Sequence, residues 1–199
     1  MNTDLTQIAF ILDRSGSMQS MAEEAIGGFN AFLKEQQKEE GEARLSLVLF
    51  DHEYTPVVEN KPIKEVKPLN ANSYEPRGMT ALLDAMGRTI DDLGKQLAAM
   101  PEKERPGTVI VVTLTDGMEN ASEDYSYERL GQMIEHQKDA YNWEFLFLGS
   151  NIENTQQSAQ FNMKQSEMHA CASVSENMSY SSQHIAKRRR EERKKKIGF

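Results

Sequence analysis

The sequence predicts an α/β fold: a doubly wound, mainly parallel sheet with one antiparallel edge strand and helices on both faces. Three observations predict it. Short apolar runs of strand length alternate along the chain with longer stretches at helical spacing. Those runs are almost continuously apolar, as strands buried on both faces are. One run is broken by Pro56, which cannot donate to a ladder and so confines that strand to an edge or a hairpin arm.

The elements follow in order. A first strand covers residues 7–12 and runs into the polar turn Asp13-Arg14-Ser15-Gly16-Ser17. A helix over 19–38 carries Met21, Ala25, Phe29, Phe32 and Leu33 on one stripe, with Met18 placed in the core before it. Gly27-Gly28 is costly in a helix and is expected where the helix packs closely on the sheet. Residues 44–50 read as a buried strand and 53–58 as the edge strand. From 59 to 79 the prolines Pro62, Pro68 and Pro76 predict a long, mobile, irregular loop of functional interest, with Thr80 in the cap position of the following helix. That helix, 81–99, aligns Leu82, Met86, Ile90, Leu93 and Leu97 and is closed by Pro101 and Pro106. The β-branched run 108–114 is a central strand that delivers Thr115-Asp116-Gly117 at its carboxyl end. A helix over 127–140 and a strand over 144–148 complete the regular alternation. Beyond them the pattern supports a short helix at 153–161, a strand at 169–174 and a terminal helix from residue 176.

A chain of 199 residues suits one domain, here 1–185, followed by a basic tail, 186–199. With 38% hydrophobic and 27% charged residues the composition excludes collagen-like and wholly disordered chains. No apolar run approaches the roughly 18 residues of a membrane span. The opening residues have no positive region and the run 8–12 is too short for a signal-peptide core, so a cytoplasmic protein is expected. A single cysteine, Cys171, permits neither an internal disulfide nor a multi-cysteine zinc site. The segment 187–196 holds 8 Lys/Arg and 2 Glu, which leaves 15 basic against 29 acidic residues, a net −14, over 1–186. That body repels nucleic acid and anionic membrane, and the basic run reads as a solvated, frayed helix end lacking the aromatic partners of a nucleic-acid site. The 11 methionines read as adaptable core filling.

Oxygen-bearing residues gather at strand ends. Asp13, Ser15 and Ser17 follow the first strand, Asp116 follows the central strand, and Thr80 ends the long loop. Loops after the carboxyl ends of neighbouring strands meet at the switch point of a doubly wound sheet, where ligands bind. Two carboxylates and three hydroxyls are hard donors, suited to Mg²⁺ first and to Mn²⁺ or Ca²⁺ as alternatives, not to zinc or copper. Taken singly, each of these residues is more commonly a turn or cap residue; the metal reading rests on their conjunction.

The run Asp13-Arg14-Ser15-Gly16-Ser17-Met18, the loop Gly78-Met79-Thr80-Ala81-Leu82 and the triplet Thr115-Asp116-Gly117 together resemble the von Willebrand factor type A domain family, over about residues 5 to 185. The resemblance matches the stand-alone bacterial type and implies a Rossmann-like fold with a metal-ion-dependent adhesion site (MIDAS). It implies direct contacts from Ser15, Ser17 and, with ligand bound, Thr80, water-mediated contacts from Asp13 and Asp116, and a partner carboxylate completing the coordination. Expected partners are proteins presenting Asp or Glu, among them ring-forming AAA-type ATPases or stress-system proteins. Arg14, Arg77 and Glu119 are expected on the site's rim as partner contacts, and the segments Tyr74-Glu75-Pro76-Arg77 and Asp51-His52-Glu53 as further contact surface.

Two other classes compete with a binding module. A Mg²⁺-dependent phosphoryl-transfer or hydrolytic enzyme would need a second acid two residues after Asp13, where the chain has Ser15, and a neutralising lysine. Nucleophile-elbow, P-loop and dinucleotide motifs are absent, so no enzymatic activity is expected. A nucleic-acid role would have to work through residues 187–196.

Overall fold

The computed structural model describes residues 1–149, 160–161, 163–171 and 173–197. The strands are β1 (Asn2–Asp13), β2 (Glu42–Phe50), β3 (Tyr54–Pro62), β4 (Pro106–Thr115), β5 (Glu144–Gly149) and β6 (Met168–Ala170); the helices are α1 (Ala22–Lys38), α2 (Leu82–Ala99), α3 (Tyr127–Tyr141) and α4 (Val174–Ile197). The sheet order is β3-β2-β1-β4-β5-β6. Every pairing is parallel except β2 with β3. The chain therefore winds outward from β1 to β3 and then returns to continue on the other side of β1. The switch point lies between β1 and β4.

Alternation along each strand divides the core in two. Ile8, Phe10 and Leu12 of β1, with Leu45, Leu47 and Leu49 of β2 and Ile110, Val112 and Leu114 of β4, face α1 and α4. Ala9 and Ile11, with Val109, Val111, Phe145 and Phe147, face α2 and α3. Burial on both faces is why these strands read as unbroken apolar runs. Phe10 meets Phe29 and Phe32 edge-on, with centroids 5.7 and 5.1 Å away, which seats α1 on the sheet centre.

Several boundaries differ from the sequence reading. The first strand begins at Asn2, because Asn2 pairs with Pro106 ahead of the apolar run. Residues Gly16–Met21 form a 3₁₀ turn, so α1 starts at Ala22. The edge strand continues to Pro62, and a 3₁₀ turn follows at Ile63–Glu65, so the first residues of the expected irregular loop are regular. Nor is the rest of that loop loosely held. Ile63, Val66, Leu69 and Tyr74 are buried, and Asn30 of α1 exchanges two hydrogen bonds with Leu69 (2.8 and 2.9 Å). The last strand is the three residues of β6, ending at Ala170, and α4 starts at Val174. Most of the short helix expected at 153–161 lies outside the described residues; residues 160 and 161 form a turn, with Phe161 buried against Tyr127 and Phe147.

Gly27 and Gly28 serve different ends. A Cβ on Gly28 would stand 2.9 Å from Cγ of the buried Met178, so this glycine lets α4, not the sheet, approach α1. A Cβ on Gly27 would meet nothing within 4 Å. Gly27→Ala is therefore expected to raise stability by about 0.5–1 kcal/mol through helix propensity. Gly28→Ala is expected to lower it by about 1–2 kcal/mol, because overpacking outweighs the same propensity gain. Urea unfolding of the two variants checks the opposite signs.

The terminal helix runs without interruption through the boundary expected at 185 and 186. Asn177 Nδ2 donates to the carbonyls of Gly149 (3.0 Å) and Cys171 (2.9 Å) at its start. Further along, the basic run is docked rather than frayed. Arg188 pairs with Glu144 of β5, Arg190 with Glu39 and Arg193 with Glu40, while Arg189 is only 5% exposed. Its guanidinium donates to Gln36 O (2.8 Å), Gln36 Oε1 (3.1 Å) and Gly41 O (3.2 Å), where α1 ends. The carbonyls left over at a helix C-terminus attract cations, and Arg189 supplies one to them.

Candidate metal centre

The first loop is shaped by Asp13, the last residue of β1. Its carboxylate is fully buried: Oδ1 accepts from the Ser15 amide (2.6 Å) and Oδ2 from the Thr115 hydroxyl (2.6 Å). The Tyr74 hydroxyl, brought in by the long loop, donates to the Asp13 carbonyl (2.5 Å). Burial pushes the Asp13 carboxyl above its ordinary value, and the bonds from Thr115 and Ser15 oppose that shift. A buried anion whose hydrogen-bond donors are neutral is an environment that a cation completes.

Two hydroxyls stand beside it. Ser15 Oγ and Ser17 Oγ are 3.0 Å apart, which is hydrogen-bonding distance. Adjacent ligand oxygens of an octahedral Mg²⁺ are also about 2.9 Å apart, so the pair fits two neighbouring coordination positions. Ser15 is buried and Ser17 is exposed.

Thr80 arrives from the second loop. The helix behind it begins at Leu82 with Ala81 as its cap residue, so the Thr80 hydroxyl does not cap the helix as expected. Side chains of the loop after β4 take over that task. Glu119 Oε2 accepts from the Leu83 amide (3.0 Å) and Ser122 Oγ from the Asp84 amide (3.1 Å), while Asn120 Oδ1 accepts from the Thr80 amide (2.9 Å) just ahead of the helix. Asp84 reciprocates by accepting from the amides of Glu123, Asp124 and Tyr125. Borrowed capping leaves the Thr80 hydroxyl facing the site. A Cβ on Gly117 would stand 2.6 Å from Thr80 Oγ1 and 3.3 Å from Ser15 Oγ, so only glycine lets these two hydroxyls approach the third loop together.

The structure thus brings Asp13, Ser15, Ser17 and Thr80 to one crevice at the switch point. Asp116 is placed on the turn directly after β4, at the same end of the sheet, half-buried and next to Gly117. Backbone bonds hold the first two loops in register: Gly16 N–H donates to Gly78 O (3.1 Å) and Arg77 N–H to Arg14 O (2.7 Å). The donor set of carboxylates and hydroxyls fits a hard divalent cation.

The residues expected on the rim have other occupations. Arg14 is 12% exposed and binds Asp51 Oδ2 (3.0 Å) and Thr55 Oγ1 (2.9 Å). Glu119 is turned inward on α2 and its own loop, accepting from the amides of Ala121 (2.9 Å) and Ser122 (2.7 Å) as well as Leu83. Arg77 stays half-exposed and pairs with Asp51 (2.9 Å) and Glu53. Within the segments expected as contact surface, Asp51 and Tyr74 are buried, whereas His52, Glu53 and Glu75 are exposed.

Asp51 is the residue whose importance sequence reading missed. Besides its two arginines it accepts from the Glu53 amide (2.6 Å), and its carbonyl accepts from the Ala81 amide (2.8 Å), so it joins β2 to the first two loops. Its signal was positional: it follows β2 as Asp116 follows β4, a strand-end carboxylate at the same pole.

No protein-family model matches the sequence, and a search of curated proteins finds no match. Solved structures do match. The von Willebrand factor domain of the pilus tip protein Mfa5 from Porphyromonas gingivalis superposes with a TM-score of 0.61 at 10% identity, over 90% of this chain and 94% of that one. The chain has the von Willebrand factor type A fold. Proximal thread matrix protein 1 from the mussel byssus, solved with a zinc-occupied MIDAS motif, shares this type A fold with a TM-score of 0.60 at 17% identity, over 91% of this chain and 46% of that one. Manganese-loaded TRAP from Plasmodium vivax does so at 0.57 and 15%, over 86% and 70%. This chain therefore spans about half the length of the mussel protein. Among the described residues no helix is long and apolar enough to cross a membrane.

Proposed function

We propose that this type A domain is a metal-dependent protein-binding module. A divalent cation, Mg²⁺ before Mn²⁺ or Ca²⁺, is held by Asp13, Ser15, Ser17, Thr80 and Asp116, and a partner's Asp or Glu completes its coordination. The observation that carries this reading is the approach of the Ser15 and Thr80 hydroxyls to Gly117, beside the buried Asp13 carboxylate and with the Ser17 hydroxyl 3.0 Å from that of Ser15. When bound, the cation supplies an electrophilic centre that three neutral hydroxyls, with the two acids acting through water, would neutralise incompletely at close range, which favours an anionic oxygen. Asp13 orients the first loop through the Ser15 amide, and Thr115 fixes the Asp13 carboxylate. The zinc and manganese of the two neighbours are reasons to test those ions beside Mg²⁺.

Binding rather than catalysis suits the polar groups around the serines. His52 lies against Asp51 (3.4 Å) and His184 faces Glu144 (3.5 Å), while His169 stacks on Tyr180 and His136 packs on Tyr141. His52 also packs on Gly78 of the second loop, but among the described residues no hydrogen bond joins a histidine to the Ser15 or Ser17 hydroxyl, which argues against a base-activated serine. The docking of Arg188, Arg189, Arg190 and Arg193 onto acidic and carbonyl groups argues against a nucleic-acid role for the basic run. A cytoplasmic setting with an AAA-type ATPase or a stress-system protein as partner is part of the same proposal.

The test starts from proteins captured on the immobilised domain in Mg²⁺ and released by chelator. In one such purified partner, interface acids are replaced singly by Ala. One replacement is expected to weaken binding at least about thirtyfold, as loss of a charged ligand does, and chelator is expected to do the same to the intact pair. Affinity that survives chelator, or that no single acid controls, overturns the proposal.

A further inference from the structure

The ion explains why an acid would bind and leaves open which acid, since most protein surfaces carry many. Selection needs a second contact close to the metal. Two of the charged residues expected to provide it, Arg14 and Glu119, are engaged inside the fold.

Large apolar side chains exposed among the described residues are Met1, Val57, Met79, Met118 and Tyr141. Met1 opens the chain, Val57 lies on the edge strand β3 and Tyr141 closes α3. Met79 and Met118 differ: they adjoin the site residues Thr80 and Gly117 on two separate loops, and they are 56% and 46% exposed. Neither position is loosely held. Met79 lies between Gly78, whose carbonyl accepts from Gly16 (3.1 Å), and Thr80, which exchanges two bonds with Asn120 (2.9 and 3.0 Å). Met118 lies between Gly117, whose amide donates to Thr115 Oγ1 (3.0 Å), and Glu119, which is fixed on α2. The same stretches turn Tyr74, Ala81 and Leu82 inward, so the outward aim of the two methionines is a property of the held backbone.

We infer that Met79 and Met118 form an apolar pair of contacts beside the metal that selects partner acids flanked by a bulky aliphatic or aromatic side chain. This rests on the carboxylate reading above. Held backbone supplies preorganisation, and the unbranched thioether supplies a surface that adapts to differently shaped apolar neighbours. An acid flanked by small polar residues engages the ion alone.

The probes are two blocked pentapeptides, Ala-Leu-Asp-Leu-Ala and Ala-Ser-Asp-Ser-Ala, titrated into the full chain in saturating Mg²⁺ with ¹³C-methyl methionine NMR as readout. The leucine peptide is expected to bind at least about fivefold tighter, equivalent to ~1 kcal/mol, and to shift the Met79 and Met118 methyl signals. The double variant Met79→Ser/Met118→Ser is expected to lose the preference while its Mn²⁺ affinity stays within about twofold, and Met→Leu at both positions to restore it. Equal affinities that both require metal overturn the methionine proposal and leave the carboxylate reading standing. A preference that persists in the double serine variant also overturns it. Failure of both peptides to bind the metal-loaded chain, or binding that survives chelator, overturns the two readings together.

Discussion

Asp13→Ala is expected to reduce affinity for Mg²⁺ or Mn²⁺ at least about a hundredfold, the loss of one buried carboxylate from a hard-cation site with only two. The sequence alone suggests that this change is harmless to the fold, because a strand-end site reads as exposed. The buried carboxylate changes that expectation. Its removal strands the Ser15 amide, whereas the Thr115 hydroxyl can turn to the Gly117 carbonyl, 3.1 Å away. One unpaired buried donor costs about 1–3 kcal/mol, partly offset by no longer burying a charge, which corresponds to a fall in Tm of about 2–10 °C for a domain of this size. Asp13→Asn keeps an acceptor for Ser15 and is expected to be closer to wild type in Tm while binding metal as poorly as the alanine variant. Titration calorimetry with Mn²⁺, paired with thermal unfolding, measures both. Undiminished Mn²⁺ affinity in a folded Asp13→Ala protein would remove Asp13 from the site.

Arg189→Ala is expected to be the most destabilising change in the basic run, by about 2–4 kcal/mol, or about 5–15 °C in Tm. The guanidinium fork reaches Gln36 O, Gln36 Oε1, Glu39 O, Glu40 O and Gly41 O, and Ala leaves the two oxygens of the buried Gln36 without this donor. Arg189→Lys restores the charge but not the fork, so it is expected to recover less than half of the loss. Lys187→Ala, two residues away with a side chain 76% exposed, is expected to change stability by no more than about 0.5 kcal/mol. Equal melting of the Arg189 and Lys187 variants would show that the run is solvated after all.

These two residues mark how far the sequence could be read. Asp13 was legible because its setting is local: an apolar run, a turn of small polar residues, and hydroxyls two and four positions on. Arg189 was not. Eight basic residues in ten have the same composition whether they wave in solvent or close the end of another helix, and what separates the cases is a C-terminus brought in from about 150 residues earlier. Asp51 and Tyr74 were hidden for a similar reason. Each sits in a polar, turn-rich stretch that reads as surface, and each is drawn inward by a partner from another loop, Arg14 or the Asp13 carbonyl.

By itself, then, the sequence determined the order of strands and helices among the described residues, the antiparallel edge at Pro56 and the strand-end positions of the candidate ligands, because periodicity, proline chemistry and short-range spacing act within a few residues. Only the tertiary structure decided which polar side chains face a ligand and which are engaged in holding the loops together. The Thr80 hydroxyl is left to the crevice because Glu119 and Ser122 cap α2 in its place and Asn120 holds the Thr80 backbone, and Arg14 is withdrawn because Asp51 is buried beneath it. A polar group takes whichever partner the fold brings within about 3 Å, and that distance is set by chain segments far apart in sequence.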